Sequence, residues 1–175
     1  MTGVTTTHGS QATLRSSRIL LVPLADLHLE LEVELDSDPE VMRFLGNGRA
    51  RTPAEVEQLH ARRMAAAGLV PGLGFWVGFV DASFVGWWVL EPPEGAGHGR
   101  MGEQAELGYR LLKRYWRQGL ASEGARELVR HGFEDLGLVR IFAETMAVNA
   151  ASRATMAAVG SVASRRRPRI ARSCR

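Results

Sequence analysis

The sequence predicts an α/β fold built on a mixed sheet. Apolar segments of strand length alternate along the chain with amphipathic segments of helical period. One strand also runs directly into a glycine-containing turn and a long amphipathic helix. The predicted order is strand, two helices, hairpin, strand, helix, strand and helix. At 175 residues, the chain has the length of one domain with a sizeable core.

The first part of the chain predicts one strand and two helical segments. The stretch ATLRSSRILLVPL is predicted as a strand that ends at Pro23. In ADLHLELEVELDSDPEVMRFL the alternating apolar residues favour a strand, but the Leu and Glu content favours a helix, which we predict. In RTPAEVEQLHARRMAAAG, Thr52 can cap a helix, Pro53 fits its first position and Glu55 completes a capping box; Gly68 ends the helix.

The segment LGFWVGFVDASFVGWWVL, residues 73 to 90, is nearly long enough to span a membrane. Asp81 and Ser83 interrupt it, and each half has strand length and many aromatic and β-branched residues. It therefore predicts a buried hairpin that turns at Asp81-Ala82-Ser83, and no membrane partner is expected.

The most informative segment follows, AELGYRLLKRYWRQGLASEGARELVRHGFEDLGL. It predicts a strand from Glu106 to Leu112, a turn with the pattern W-x-x-G-x-A, and a helix from about Gly119 to Leu136. Free N–H groups and the helix dipole make such a turn an anion cradle, and small residues let a diphosphate approach the backbone. On spacing alone, an ordinary strand-to-helix connection stays open as the alternative. A strand from Arg140 to Ala147 comes next, and Asn149 opens a last helix that Gly160 closes.

The stretch ELGYRLLKRYWRQGLASEGARELVRHGFEDLGLVRIFAETMAVNAAS resembles the acetyl-CoA-binding core of the GNAT acyltransferases. With Trp116 three residues before the glycine, it is similar to the branch that includes RimJ/RimL-type protein N-terminal acetyltransferases. The resemblance extends from about Thr13 to Gly160. It implies a mixed, mostly antiparallel sheet flanked by helices. It also implies direct transfer of an acetyl group from acetyl-CoA to a primary amine, either a protein N-terminus or a small-molecule amine.

The resemblance also implies site residues. The turn backbone would clamp the pyrophosphate, the preceding strand would lend backbone groups to the pantetheine arm and the thioester oxygen, and an asparagine would bind the pantetheine. The residues implied for acetyl-CoA are Tyr109, Arg110, Leu111, Arg117, Gln118, Gly119, Leu120, Ala121, Ser122 and Asn149. For Asn149 a plain helix cap, and for Arg117 a solvated side chain, are the alternatives.

Two residues are the catalytic candidates. Glu106, on the strand beside the cofactor, is the candidate general base, acting through water. Ser152 is similar in position to a serine of RimL-type enzymes that protonates the departing thiolate; its alternative is a first-turn serine that bonds the backbone. Lesser candidates for the base are Glu144, His60 and His28. The histidines are scattered without paired acidic ligands, so no metal is expected.

The composition changes abruptly after Gly160. Residues 161–175 hold six arginines and no acid, so the net charge of +3 becomes −3 (16 basic against 19 acidic residues) without them. We expect a flexible leader at 1–12, the acetyltransferase domain at 13–160 and a basic, disordered tail at 161–175. The last two strands of the fold would then be missing, and a frameshifted or prematurely ended gene is the hypothesis. The strand at 140–147 would become an exposed edge that favours homo-oligomers.

Composition also limits the function classes. The single cysteine, Cys174, excludes an intrachain disulfide framework, and the N-terminal stretch lacks the apolar core of a signal peptide, so we expect a cytoplasmic protein. Two alternative functions stay open. One is a non-catalytic acyl-CoA-binding remnant of the fold; the other, less favoured, is nucleic-acid binding through the arginines of the tail.

Overall fold

A computed structural model describes residues 11–93 and 103–160, and the backbone of 169–174. Within these ranges a single seven-stranded sheet has its strands in chain order. The strands are β1 (Leu14–Arg15), β2 (Leu20–Pro23), β3 (Gly74–Val80), β4 (Ser83–Glu91), β5 (Gln104–Leu111), β6 (Arg140–Thr145) and β7 (Arg169–Cys174). Pairing is antiparallel from β1 to β5, and β6 is parallel to both of its neighbours. The predicted mixed, mostly antiparallel sheet is confirmed.

Helices cover both faces of the sheet. The α-helices are α1 (Leu29–Asp36), α2 (Pro39–Met42), α3 (Pro53–Ala67), α4 (Leu120–Arg130) and α5 (Ala150–Gly160). Alternate β4 residues point to opposite faces, so Trp87 packs in the core on the α1 side and Trp88 in the core beneath α4. The predicted capping box at Thr52 and Glu55 is confirmed at the start of α3.

Two predicted elements differ in detail. The single strand predicted up to Pro23 is two short strands, because the Ser16 hydroxyl accepts from the Ile19 N–H at 3.1 Å and holds a turn between them. The helix predicted to Leu136 is α-helical only to Arg130. It then continues as a π-helix over His131–Asp135, in which the Leu136 N–H donates to the His131 carbonyl.

The hairpin of β3 and β4 confirms the prediction for residues 73 to 90. Asp81 and Ala82 both have positive φ, +47° and +61°, as a two-residue hairpin turn requires. Among the described helices, none is long and apolar enough to cross a membrane.

The C-terminal segment corrects the sequence-based expectation. The prediction that the strand at 140–147 lacks a neighbour is wrong, because β7 pairs with β6 in parallel register from Arg140↔Arg169 to Thr145↔Cys174. Strand pairing uses main-chain N–H and C=O groups, so an arginine-rich composition does not exclude it. The prediction that the whole tail is disordered is therefore wrong at 169–174, which form β7. Residues 161–168 and 175 lie outside the described ranges.

The N-terminal boundary is a smaller difference. The leader was expected to include Gln11 and Ala12, but the Gln11 side chain donates to the Phe75 carbonyl at 2.9 Å. The Trp76 indole donates to the Ala12 carbonyl at 2.7 Å. Both residues are thus fixed on β3, and residues 1–10 lie outside the described part of the chain.

Candidate active site

The centre of the sheet opens between β5 and β6. Along β4, β5 stays paired from Glu106 to Leu111. Along β6 it is paired only at three positions, which end at Glu106↔Phe142. Beyond that point β6 continues to Thr145 against β7, so the two strands separate. The β5 edge from Leu107 to Leu111 thereby faces a cleft instead of a partner strand.

The glycine turn lies at the end of this cleft. Arg117 and Gly119 have φ of +60° and +78°, and Gly119 is the residue before the first turn of α4. The N–H groups of the first turn have no acceptor within a helix, so those of Leu120, Ala121 and Ser122 would be available to a bound anion. We call the turn from Arg117 to Ser122 the anion turn. Leu120 contributes only its backbone, since its side chain is buried. Arg117 and Gln118 are exposed beside the turn.

Sequence reasoning missed Arg18, which adjoins this turn. Its Nη1 donates to the Gln118 carbonyl at 3.1 Å, and its Nη2 is 2.6 Å from a carboxylate oxygen of Glu123 on α4. A β-carbon placed on Gly119 would lie 3.6 Å from that Nη2. Arg18, paired with Glu123, thus joins the N-terminal part of the chain to this turn. No local motif signals these contacts, because they join residues that are 100 and 105 positions apart.

Gly124 was also missed, although the sequence contains a signal for it. It lies inside α4, where glycine is costly, and a β-carbon there would approach the Trp88 ring to within 2.4–2.7 Å. The Trp88 indole also donates to the Ala121 carbonyl at 3.2 Å. Gly124 therefore lets the first turn of α4 lie directly on β4, which fixes the position of the anion turn.

The other wall of the cleft is the start of α5. Asn149 caps this helix, since its side-chain oxygen accepts from the Ser152 N–H at 3.1 Å. Across the gap, the Tyr109 hydroxyl lies 3.1 Å from Ser152 Oγ and donates to the Ser152 carbonyl at 3.2 Å. The structure thus brings Tyr109, Asn149 and Ser152 together. The contacts of Asn149 show its role as a helix cap, and its contact with the pantetheine stays a prediction.

Strand alternation separates the three β5 residues implied for the cofactor. The Leu112 N–H donates to the Val85 carbonyl, so the main-chain groups of Arg110 also face β4, while those of Tyr109 and Leu111 face the cleft. The Leu111 carbonyl accepts from the Trp116 indole at 2.8 Å. The geometry therefore does not support a backbone contact from Arg110 to the cofactor. The backbone contacts of Tyr109 and Leu111 with the cofactor stay predictions.

The Arg110 side chain belongs instead to a buried ionic cluster on the α1 side of the sheet. Asp36 of α1 is fully buried and binds Arg110, as well as Arg63 at 3.2 Å and Arg51 at 3.5 Å. Burial lowers the pKa of Arg110 to about 10, against the attraction of Asp36. The guanidinium groups of Arg63 and Arg110 also lie over the Trp87 ring, at 5.1 and 4.7 Å. The cluster joins α1 and α3 to the sheet.

The base candidates occupy different places. Glu106 lies at the last paired position before β5 and β6 separate, and it is half-buried. Glu144 is half-buried near the end of β6. His60 is buried against Glu32, and His28 accepts from the Ala25 N–H at 3.0 Å, while burial lowers its pKa. Both histidines thus have structural partners, and no cluster that could hold a metal occurs among the described residues.

Comparison with known proteins identifies the family to which the chain belongs. The sequence model of the acetyltransferase (GNAT) domain matches residues 18–162. The FsC-acetyl coenzyme A-N(2)-transacetylase of Aspergillus fumigatus is 46% identical over 153 residues, which are 86% of this chain; the chain spans 65% of that relative's length.

Two solved structures illustrate the similarity of fold. A GNAT-family acetyltransferase from Bacillus anthracis superposes with a TM-score of 0.71 at 22% identity, covering 85% of this chain and 82% of the other. RimL, a ribosomal L7/L12 alpha-N-protein acetyltransferase solved with coenzyme A, has the same TM-score and coverage at 16% identity. At these identities the likeness concerns the fold alone.

Proposed function

The chain belongs to the GNAT acetyltransferase family, and we propose that it transfers the acetyl group of acetyl-CoA directly to a primary amine of a small molecule. The observation that carries this proposal is the separation of β5 and β6 next to the anion turn of α4. The pyrophosphate would bind the turn backbone from Arg117 to Ser122, and the pantetheine arm would enter the cleft along β5, with its thioester near Glu106 and Ser152. The single cysteine favours the cytoplasm as the compartment.

The chemistry needs a neutral amine, a donor for the oxyanion and a proton for the leaving thiolate. Glu106 would accept the amine proton through water, and its position where the cleft begins supports this role. A cleft-facing N–H of β5, at Tyr109 or Leu111, would stabilise the oxyanion. Direct transfer needs no nucleophilic side chain, which agrees with a cleft lined by main-chain groups.

For the acceptor, the strongest support is the Aspergillus relative, whose name gives an N(2) amine of FsC as the acetylated group. We favour that class of acceptor over a protein N-terminus, because the RimL likeness is confined to the fold.

The test measures CoA thiol release with acetyl-CoA and a panel of amines: FsC, an N-terminal peptide, a polyamine and an aminoglycoside. The acetylated product is identified by mass. Amine-dependent release with FsC as the best acceptor is the expected result. Binding of acetyl-CoA without amine-dependent thiol release would overturn the proposal and favour the non-catalytic remnant. Faster thiol release with the peptide than with FsC would show that the acceptor is a protein N-terminus.

A further inference from the structure

Two buried N–H groups on the α1 side of the sheet have no hydrogen-bond partner. They are Nε1 of Trp87 on β4 and Nε of Arg110 on β5, and the two residues are paired in the strand register. The residues are only 7% and 9% exposed, and the Arg110 guanidinium lies 4.7 Å from the centre of the Trp87 ring. A buried donor without an acceptor is costly, so such groups usually bind a water molecule or a ligand.

We propose that these two N–H groups bind the amine acceptor, by donating to a carboxylate or carbonyl oxygen that the acceptor carries close to its amine. We call the pair, Trp87 Nε1 and Arg110 Nε, the oxygen subsite. The inference rests on the proposed acetyltransferase function and narrows the class of its acceptor to amino acids and their esters and amides.

The charges around the oxygen subsite favour such a group. The buried ionic cluster has three guanidinium groups and two buried carboxylates, which belong to Arg51, Arg63, Arg110, Glu32 and Asp36. Its third carboxylate, Asp26, is 95% exposed, so water and salt screen its charge. The cluster therefore has an excess of positive charge, which attracts the negative end of a carbonyl or a carboxylate.

The same charges make the Trp87 indole a better hydrogen-bond donor. The guanidinium groups of Arg63 and Arg110 lie over its ring, at 5.1 and 4.7 Å from the ring centre. Two cations at this distance attract the electrons of the ring and polarise its N–H bond. An indole N–H that is polarised in this way and buried binds an oxygen of the acceptor more strongly than one in water.

An acceptor can reach the oxygen subsite along one face of β5. Glu106, Gly108 and Arg110 are alternate residues of this strand, so they share the α1 face. Glu106 and Gly108 are half-buried and Arg110 is buried, so exposure falls along this face towards the subsite. Within the described ranges, Val89 Cγ1 is the only atom within 4 Å of where a β-carbon of Gly108 would lie.

This route limits the distance between the amine and the oxygen. Gly108 and Arg110 are about 7 Å apart along the strand. An amine over Gly108 would lie beside Glu106, the proposed base, and an oxygen within a few bonds of that amine could reach the subsite. Amino acids and their esters and amides meet this condition, whereas simple alkylamines have no oxygen to place there.

The first test measures the KM for FsC in variants of the full chain by CoA release. Trp87→Phe removes the indole N–H and keeps an aromatic ring. Trp76→Phe is the matched control, because Trp76 is in the core on the α4 side and its indole donates to the Ala12 carbonyl. We expect Trp87→Phe to raise the KM for FsC about tenfold, with kcat and the KM for acetyl-CoA within about twofold of wild type. Trp76→Phe should leave the KM for FsC near wild type.

A second variant acts on the other donor. Arg110→Lys keeps a positive charge beside Asp36 and removes Nε, so it should also raise the KM for FsC. The Tm of each variant reports whether it is folded, and a loss of stability alone would not raise the KM for FsC selectively.

The second test identifies the chemical group with three small probes. Leucine, leucinamide and 3-methylbutylamine share one carbon skeleton and differ in having a carboxylate, an amide carbonyl or neither. Leucine and leucinamide should inhibit acetylation of FsC more strongly than 3-methylbutylamine does, and Trp87→Phe should lose this preference. Stronger inhibition by leucine would identify a carboxylate as the bound group, and stronger inhibition by leucinamide a carbonyl.

The third test observes the donor directly in the wild-type protein. The four tryptophans give four indole N–H signals in NMR spectra of ¹⁵N-tryptophan-labelled protein, and Trp87→Phe assigns one of them. Saturation with FsC in the presence of CoA should move the Trp87 signal downfield. The Trp76 signal should stay in place, since its N–H already has an acceptor.

The outcomes separate this inference from the proposed function. An unchanged KM for FsC in Trp87→Phe, equal or absent inhibition by the three probes, or an unmoved Trp87 signal would show that the two N–H groups bind water only. Each would overturn the inference and leave the acetyltransferase function intact. A wild type without amine-dependent CoA release would overturn both.

Discussion

Glu123 accepts hydrogen bonds from both the main-chain N–H and the side-chain Nε of Arg18, each at 2.7 Å, although 105 positions separate the two residues. Ser16 and Ser17 donate to the same carboxylate at 2.7 and 2.9 Å. The turn between β1 and β2 is therefore fixed to the first turn of α4. A carboxylate so near a proposed phosphate site is tolerated because these donors compensate its charge.

Glu123→Gln should destabilise the fold in a pH-dependent way. Burial raises the pKa of Glu123, but hydrogen bonds from Ser16, Arg18 and Ser17 outweigh this and lower it to about 2. A lowered carboxyl pKa stabilises the fold above the unfolded-state pKa, about 4.3, and this stabilisation disappears as the pH falls toward 2. Thermal unfolding should therefore show a lower Tm for the variant at pH 7, and the difference from wild type should shrink between pH 4 and 2. Glu57→Gln, at an exposed position of α3, is the control; an equal difference at pH 7 and pH 2 would contradict the assignment.

Acetyl-CoA should stabilise the wild-type protein against heat. It would bind the folded turn of α4 and not the unfolded chain, so at a hundredfold excess over Kd the gain is about 2.7 kcal/mol. Differential scanning calorimetry with and without acetyl-CoA measures this gain. An unchanged Tm at saturating acetyl-CoA and CoA would contradict cofactor binding.

Gly119→Ala should weaken CoA binding more than it weakens the fold. At φ of +78° a β-carbon strains the backbone, and any shift of the turn moves the N–H groups that face the phosphates. Gly137→Ala is the matched control, because Gly137 has φ of +69° and a β-carbon there meets nothing within 4 Å. Both variants should lose a similar Tm, but only Gly119→Ala should lose the CoA-induced shift in calorimetry. Equal CoA affinities of the two variants would show that this turn is an ordinary strand-to-helix connection without a role in cofactor binding.

Glu106→Gln tests the general base. The change keeps the shape of the side chain and removes its proton acceptor, so kcat should fall by about 10²-fold with CoA affinity little changed. Steady-state rates at several pH values and CoA titration measure the two effects. Glu144→Gln is the comparison: if it loses more activity than Glu106→Gln, the base lies on β6 and not on β5.

Asp36→Asn should be among the most destabilising single changes in the chain. It removes the charge that compensates three arginines, and breaking a buried ion pair in this way costs about 3–5 kcal/mol. Chemical denaturation measures the loss. Asp38→Asn, two residues away, should have little effect, because Asp38 caps α2 through one hydrogen bond that asparagine also makes. Similar unfolding free energies for the two variants would show that the cluster contributes no net stability.

Local patterns predicted the elements that they determine. The capping box of α3, the hairpin at Asp81 and the glycine before α4 each depend on a few adjacent residues, and each is confirmed. The ambiguous segment after Pro23 is helical at Leu29–Asp36, although its leucines alternate. The burial of Glu32 and Asp36 explains why, since the acids of this helix face basic partners on α3.

Features that depend on distant residues could not be predicted from one sequence. The contacts of Arg18 with Glu123, and of Tyr109 with Ser152, join elements whose approach is decided by the whole sheet. The β7 strand escaped prediction for a different reason: composition describes side chains, whereas strand pairing depends on the main chain. The homo-oligomer is an untested prediction. Its expected cause, an exposed β6 edge, is absent because β7 pairs with that strand.

The separated strands also leave few main-chain bonds between two parts of the sheet. Strands β1 to β5 form one block and β6 and β7 form the other; in the sheet only three residue pairs, from Gln104↔Arg140 to Glu106↔Phe142, join them. Local opening is easiest where few main-chain bonds cross. A cofactor in the cleft would form hydrogen bonds with both blocks, where β5 and β6 form none with each other. Amide hydrogen exchange along β6 should therefore slow most when the cofactor is bound.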